Sequence, residues 1–239
     1  MTSTVGSDDD EPGRRRIVPR LDREQVRGHV VDANDGIIAT AGVVEGLLGA
    51  GAAGSTIVLA SLAAMVGGAI ALGGMKYSEA ADERDARAAT IEAERRQLDS
   101  APEEELAELA GIYEAKGLSP DLARAVAEQL SDHDALAAHA EMEHGIDVGG
   151  RDPTPLFTAT LAGVAFMIGS AVPLLMILVA PTGLRIPVTF VAVVLALGIT
   201  ATIVARLGGA SMWRTIVRTV SIGLVTMLLT LVGGTLIGL

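Results

Sequence analysis

Four polar side chains interrupt an apolar stretch near the beginning of the chain. Asp32, Asn34 and Asp35 open the run "VDANDGIIATAG", and Glu45 follows deeper in the same stretch. Carboxylate and amide oxygens bind divalent cations, and a carboxylate also binds and releases protons. Asp32 and Asp35 are three residues apart, so a helix would present them on one face. The pattern therefore indicates cation or proton chemistry inside an apolar segment.

A carboxylate inside a membrane helix is costly unless it is solvated, paired or bound to a cation. Capping of a helix at the membrane surface by Asp32 or Asn34 would explain one of these residues. It does not explain Asp35, which Gly36 follows, and it explains Glu45 even less. Glu45 would then either pair with an arginine or remain protonated. Asp35 is accordingly the first candidate for ion binding.

A second set of candidate ligands lies in the acidic segment 76–152, which holds 20 acidic and 8 basic residues. Several of its acids recur at helical spacing, and one histidine lies four residues before a glutamate. Carboxylates together with an imidazole suit Fe²⁺, Mn²⁺ or Zn²⁺. A run of charge is also typical of a merely solvated helix face. The candidate ligands are Glu92, Glu94, Glu105, Glu108, His139, Glu141 and Glu143.

The tetrapeptide "EMEH" contains Glu-x-x-His, the unit from which ferritin-like di-iron bundles are built. Such a site needs a second Glu-x-x-His, and the sequence contains none. A ferritin-like oxidase is therefore disfavoured.

Hydropathy predicts the elements that position these residues. Residues 36–75 carry a single charge, and residues 153–239 contain no acid. Forty helical residues can cross a hydrocarbon core of about 30 Å twice. We predict an all-α membrane protein with five transmembrane helices per subunit and a cytosolic helical metal-binding domain inserted between helices 2 and 3. The expected helices are about 30–51, 55–77, 155–180, 186–206 and 212–238.

The acidic segment is predicted to be helical throughout. No Pro or Gly interrupts residues 75–98, so helix 2 should continue into the domain; Pro102 then opens another helix, and "KGLSP" ends it. Two further helices are expected over "DLARAVAEQL" and "HDALAAHAEMEHGI". The predicted organisation is a disordered cytosolic tail over 1–27, transmembrane helices 1 and 2 over 28–76, the domain over 77–152, and transmembrane helices 3 to 5 over 153–239.

Basic residues predict the orientation, because Lys and Arg accumulate on the cytosolic side. With the N-terminus in the cytosol, 17 of the 18 basic residues lie on that side, and only Arg185 lies outside. The Ala- and Gly-rich composition, with Arg preferred over Lys, suggests a bacterial inner membrane protein. A net charge of −11 speaks against nucleic acid as a partner, and the absence of Cys excludes thiolate metal sites.

The whole pattern resembles the vacuolar iron transporter family over residues 27–239. The resemblance rests on "ANDGIIATAGVVEGLLGA", "GGAIALGGMKYSEAADERD", "PEEELAELAGIYEAKGLS" and "AEMEHGI". It implies a homodimer of five-helix subunits in membrane lipid, with the translocation path at the dimer interface and a cytosolic metal-binding domain beneath it. It also implies exchange of Fe²⁺, and often Mn²⁺, for protons.

By this resemblance Asp35 matches the transport aspartate, and glutamates of the domain match its metal ligands. Several positions depart from the family pattern. Leu72 replaces a methionine, although Met65 and Met75 are close, and Lys76 replaces a glutamate before Tyr77. Other departures are Ala64 for an acid, Gln97 for a glutamate and His139 for a methionine.

The sequence thus predicts a transporter, not an enzyme, that exports Fe²⁺, with Mn²⁺ as a further cargo, from the cytosol by proton antiport. A membrane-anchored metal sensor or buffer that does not transport is the alternative, and Lys76 is its best support. Zn²⁺ is a further candidate ion for binding to the domain. The expected transport path comprises Asp35, Asp32, Glu45, Met65 and Met75. The expected metal ligands are Glu94, Glu105, Glu108, His139, Glu141 and Glu143.

Overall fold

The computed structural model describes residues 23–150 and 153–238, and this part of the chain is built from α-helices. The predicted tail 1–27 lies outside the described residues except for its last five, which begin the first helix. That helix therefore starts earlier than expected, with Glu24 in its first turn, where an acid favours the positive helix end. The helices are α1 (Arg23–Gly49), α2 (Gly54–Ser100), α3 (Pro102–Ala115), α4 (Pro120–His144), α5 (Pro155–Val179), α6 (Arg185–Leu207) and α7 (Met212–Ile237), with a short 3₁₀ turn at Thr182–Leu184.

Four of the described helices are long and apolar enough to cross a membrane: α2, α5, the segment Thr182–Leu207 containing α6, and α7. The chain is accordingly an integral membrane protein. Four of the five predicted spans are thus confirmed. The first helix is equally long, but Asp32, Asp35 and Glu45 lower its apolar character.

The central element of the bundle is α1, which packs against α2, α5, α6 and α7. Its apolar residues join buried side chains of α6 and α7, and closer to its end Val44 joins Ile57 of α2 and Ile177 of α5. Small residues let the backbones come close. Gly169 of α5 lies directly against the Ala33 carbonyl, and Gly234 of α7 lies against the Gly46 carbonyl. The helix that carries Asp32, Asp35 and Glu45 thus packs against all four of the helices that contain the apolar spans.

Replacing Gly234 by Ala should destabilise the bundle, whereas Gly233→Ala should not. A Cβ at Gly234 would meet the Gly46 carbonyl, which is backbone and cannot rotate away, while a Cβ at Gly233 meets nothing within 4 Å. Overpacking of this kind typically costs about 1–3 kcal/mol, and Ala at an uncrowded helical Gly position gains up to about 1 kcal/mol. Thermal unfolding of both variants in detergent is the measurement. Equal midpoints for the two variants would contradict the close α1–α7 approach.

The second helix extends well beyond the bundle. Its 47 residues correspond to about 70 Å, more than twice the thickness of a hydrocarbon core. The part after Tyr77 packs against α3 and α4, whose shared core contains Leu109, Ala110 and Ala127. The two helices predicted after "KGLSP" follow one another within α4 and meet at a kink at Asp134, where φ is −160° and ψ is 90°. The Asp134 carboxylate accepts a 3.0 Å hydrogen bond from the Ala137 N–H and so restarts the helix after this interruption.

Candidate metal centre

Three helices of the helical domain bring four potential ligands together. Glu94 of α2, Glu105 of α3, and His139 and Glu143 of α4 each offer a ligand atom, and these atoms all lie within 4.8 Å of one another. The Nδ1 atom of His139 is 2.9 Å from Glu143 Oε1, 3.3 Å from Glu94 Oε1 and 3.7 Å from Glu105 Oε2. We call these four residues the carboxylate–histidine cluster. It is the only group of this kind in the described residues.

The cluster is enclosed by the domain. His139 is 0% exposed and Glu94 1% exposed, whereas Glu143 is half-buried at the rim. The i,i+4 spacing on α4 places His139 and Glu143 on one helix face, and a 2.9 Å hydrogen bond joins them. Glu105 reaches the cluster because it shares the buried face of α3 with Leu109. Acids are rarely buried without a partner, so three carboxylates here require an explanation.

The donor atoms fit a metal ion. Glu94 Oε1 and Glu105 Oε2 are buried and accept no hydrogen bond, although both lie within 4 Å of His139 Nδ1. Burying an ionised carboxylate without a partner is strongly unfavourable, whereas a cation between the carboxylates would satisfy them together. Three carboxylates and one imidazole form the mixed oxygen and nitrogen set that suits Fe²⁺, Mn²⁺ or Zn²⁺.

The electrostatics of Glu105 reflect this crowding. Burial raises the pKa of the Glu105 carboxyl, and the negative charge of Glu94 raises it further. His139 acts in the opposite direction, but Glu108 and Glu143 again favour the protonated form. Protonation thus relieves the repulsion when no metal is present, and a bound cation would replace the proton.

Metal binding by the full-length protein should therefore weaken as the solution is acidified. A metal ion needs Glu105 ionised, and because its pKa is raised the proton competes at a higher pH than for an ordinary glutamate. The loss of affinity should begin closer to neutral pH than an unperturbed carboxylate would give. Calorimetric titration with Mn²⁺ in detergent over a series of pH values tests this. An affinity that does not change between neutral and mildly acidic pH would contradict it.

Two of the predicted domain ligands lie outside the cluster. Glu108 and Glu141 are both exposed. On α3 the buried face is formed by Glu105, Leu109 and Ala110, and Glu108 is rotated by about 100° from Leu109 toward solvent. Glu141 is rotated by about 200° from His139 along α4, which places it on the outer side. The structure therefore gives neither of them a contact with the cluster.

One contact of the cluster was not anticipated. His144 Nε2 lies 3.5 Å from Glu94 Oε2, the carboxylate oxygen that is not directed at His139. The histidine side chain is 39% exposed, so it sits at the edge of the cluster. It would orient Glu94, as residues next to metal ligands commonly do. The signal in the sequence is "EMEH", in which His144 follows Glu143 directly.

The predicted transport path divides into an exposed and a buried part. Asp35 is exposed on the surface of the bundle, and Met75 is 57% exposed, while Met65 is half-buried. Asp32 is 6% exposed, and its Oδ2 atom lies 3.3 Å from the Nδ1 atom of His29 one turn earlier. Glu45 is 0% exposed and lies inside the bundle. The structure thus separates Glu45 from Asp35.

Two departures from the family pattern, Lys76 and Gln97, lie on the second helix outside the cluster. Lys76 of α2 donates a 2.8 Å hydrogen bond to Glu79 and is close enough to Asp32 and Asp35 to interact with them electrostatically. Gln97 is exposed and lies outside the cluster. Lys76 therefore places a fixed positive charge beside the two aspartates of α1.

Comparisons with known proteins agree with this architecture. The sequence model of the VIT family matches residues 26–235. A vacuolar iron transporter of Acanthamoeba castellanii is 33% identical over 196 residues, which cover 78% of this chain and 69% of that protein. Vacuolar iron transporter 2 of Oryza sativa subsp. japonica is 31% identical over 176 residues, with coverage of 72% and 71%. Vacuolar iron transporter 1 of Arabidopsis thaliana is 28% identical over 173 residues, with coverage of 72% and 69%. Since the family match includes the apolar helices and the carboxylate–histidine cluster alike, the chain belongs to the VIT family.

Proposed function

We propose that this protein exports Fe²⁺ from the cytosol, with Mn²⁺ as a second cargo, in exchange for protons. Its similarity to proteins named vacuolar iron transporters supports iron as the cargo and transport, not catalysis, as the activity. The single observation that carries the proposal is the carboxylate–histidine cluster, because one of its ligands, Glu94, stands on the helix that also crosses the membrane.

The proposed topology places the domain in the cytosol. In this arrangement α1 also crosses the membrane and brings the number of spans to five. The N-terminus is cytosolic, and the membrane is a bacterial inner membrane. The end of the bundle beside the domain carries nearly all the basic residues near the spans, as the positive-inside rule requires. Arg185, at the start of α6, marks the opposite end, where its side chain lies beside Gly54 at the start of α2.

The proposed metal path runs along the exposed face of α1 and α2. An acid such as Asp35 is too costly to leave facing lipid, so this face needs a water-filled cavity or another protein surface. A second copy of the chain would cover it and supply a second Asp35, and the path would form between the two subunits. Asp32 would assist Asp35, and the thioethers of Met65 and Met75 would offer weak additional ligands.

Capture and translocation are separate steps in this proposal. Glu94 lies 18 residues after Lys76, which corresponds to about 27 Å along α2. The cluster would hold a metal ion from the cytosol, and the acidic domain would raise the cation concentration near the mouth of the path. An ion leaving the cluster would then reach Asp35. Zn²⁺ would also bind the cluster, since its donor set suits that ion.

Reconstitution in liposomes tests the proposal directly. With the domain facing outward and a metal-sensitive dye inside, external Fe²⁺ or Mn²⁺ should enter the liposomes, and an acidic interior should accelerate entry. A pH-sensitive dye should report protons leaving as metal enters. If metal entry does not depend on the pH gradient, the protein is a channel and the antiport proposal is wrong.

The alternative of a sensor or buffer that does not transport predicts a different result in the same assay. Such a protein would bind metal through the carboxylate–histidine cluster, but the internal dye would remain silent. The names of the relatives do not favour this alternative.

A further inference from the structure

Glu45 is the one fully enclosed carboxylate within the described part of the helix bundle. Its side chain is 0% exposed, and neither Oε1 nor Oε2 has a hydrogen-bond partner. The capture and metal-path steps proposed above do not use it. An ionised carboxylate without a partner in such surroundings is strongly unfavourable, so the group must be neutralised by a nearby cation or by a proton.

No cation among the described residues neutralises Glu45. The spans of α2 and α5 contain no charged residue, and α7 has only Arg214 and Arg218 in its first turns. On α6, Arg206 lies at the far end, whereas Arg185 lies at the end nearer to Glu45. Glu45 has no salt bridge with any of these groups within 4.0 Å. A bound proton is therefore the neutralising group that the geometry favours.

The register of the helices places a hydroxyl at the height of Glu45. The Thr200 hydroxyl of α6 donates to the Asn34 side chain of α1, and the two helices run antiparallel. Glu45 lies eleven residues after Asn34, and Thr189 lies eleven residues before Thr200. Glu45 and Thr189 therefore lie at about the same level along the bundle axis. Thr189 is also fully buried, and its Oγ1 has no hydrogen-bond partner.

A second pair of buried hydroxyls lies about 7.5 Å closer to the domain. Val44 of α1 and Ile57 of α2 belong to one apolar cluster. Thr40 precedes Val44 by four residues and Ser61 follows Ile57 by four, so Thr40 and Ser61 have similar heights in these antiparallel helices. Both are 0% exposed, and both hydroxyl oxygens lack a hydrogen-bond partner. Unpartnered buried polar groups at successive heights are typical sites for internal water.

We propose that Glu45 is the proton-carrying group of the transporter, and that protons cross the interior of each subunit while the metal ion follows the exposed face with Asp35. This inference rests on the proposed antiport. A proton entering from the end marked by Arg185 binds the Glu45 carboxylate. It then leaves past Thr40 and Ser61 toward the end that bears the domain. The only bond of Glu45 that forms and breaks in this cycle is the carboxyl O–H bond. Thr189 would donate to or accept from the Glu45 carboxyl group.

Infrared spectroscopy tests the bound proton without any need for transport. The difference between spectra of wild type and Glu45→Gln, in metal-free liposomes at neutral pH, should contain the C=O stretching band of a protonated carboxylic acid, and the band should shift in D₂O. Absence of that band would overturn the inference, because Glu45 would then be ionised. Appearance of the band only in an Arg185→Gln background would identify Arg185 as its partner and overturn the inference equally.

Flux measurements test the carrying role. In Glu45→Gln, metal-driven proton flux should fall to the background of protein-free liposomes, and metal entry should lose its dependence on the pH gradient. Glu45→Asp, which still titrates, should retain part of the coupling, and the exposed control Glu128→Gln should behave as wild type. Full proton coupling in Glu45→Gln would overturn the inference alone. Absence of proton flux in wild type would overturn the antiport itself together with this inference.

Discussion

Replacement of Asp35 by Asn should reduce metal transport to the background of protein-free liposomes and leave the fold intact. Asp35 is exposed on the bundle and has no hydrogen bond or close ion pair among the described residues. Its attraction to Lys76 is opposed by its repulsion from Asp32, so its loss should change the stability of the subunit little. Asn keeps the shape but has neither the negative charge nor the proton affinity of Asp. In the proposed mechanism the same substitution removes the anionic ligand that a divalent ion needs within the membrane. Metal flux in liposomes and thermal unfolding in detergent are the two measurements.

The matched control for this substitution is Asp99→Asn, because Asp99 is an exposed aspartate in the domain part of α2. It changes the net charge equally but lies far from the bundle. We expect wild-type flux from Asp99→Asn and an unchanged unfolding temperature from both variants. Normal flux in Asp35→Asn would remove Asp35 from the mechanism, and a large drop in its unfolding temperature would show a structural role instead.

The second large effect concerns two glutamates that are only three residues apart. Glu105→Gln should weaken metal binding to the full-length protein by about 10- to 100-fold or more, since even residues that merely support ligands contribute this much to affinity. Glu105 is 6% exposed and its Oε2 points into the carboxylate–histidine cluster. Glu108→Gln should change the affinity little, because exposed charges contribute at most about 1 kcal/mol. Calorimetry with Mn²⁺ on both variants gives the comparison.

The two variants should also differ in their response to pH. Glu105→Gln removes the group whose pKa is raised by burial and by Glu94, so the weakening of metal binding in acid should become shallower. Glu108→Gln should keep the steepness of the wild-type pH profile and move it slightly toward lower pH, because the Glu108 charge contributes to raising the pKa of Glu105. Equal losses of affinity in both variants would mean that the acidic face binds metal diffusely and that the buried cluster has no special role.

Much of the secondary structure follows from the sequence alone. The apolar segments and the Pro and Gly residues between them locate the bounds of α5, α6 and α7 within a few residues. They also predict the continuous second helix, because no Gly or Pro interrupts it after Met75. These features are local, since helix formation and its termination depend on residues within a few turns. The sequence also predicts the chemical types of the candidate ligands, because carboxylates and a histidine at helical spacing are visible without a structure.

Only the tertiary structure decided which candidate ligands meet. Glu94, Glu105 and His139 stand on three helices, and their proximity results from the packing of α3 and α4 on α2. The same packing turned Glu108 outward and brought His144 against Glu94. Helical spacing shows that two residues share a face, but it does not show which face becomes buried. That choice depends on apolar contacts such as those of Leu109, which involve residues distant in the sequence.

The same distinction holds for the carboxylates of α1. The sequence alone places Asp35 and Glu45 in one apolar helix, and it established that both are costly there. It could not establish that Asp35 lies on the outer face and Glu45 in the enclosed interior. Four helices surround α1, and the close contacts at Gly169 and Gly234 help set the sides on which they pack. The environment of each carboxylate is thus a property of its neighbours in space, because solvation and burial depend on all surrounding helices at once.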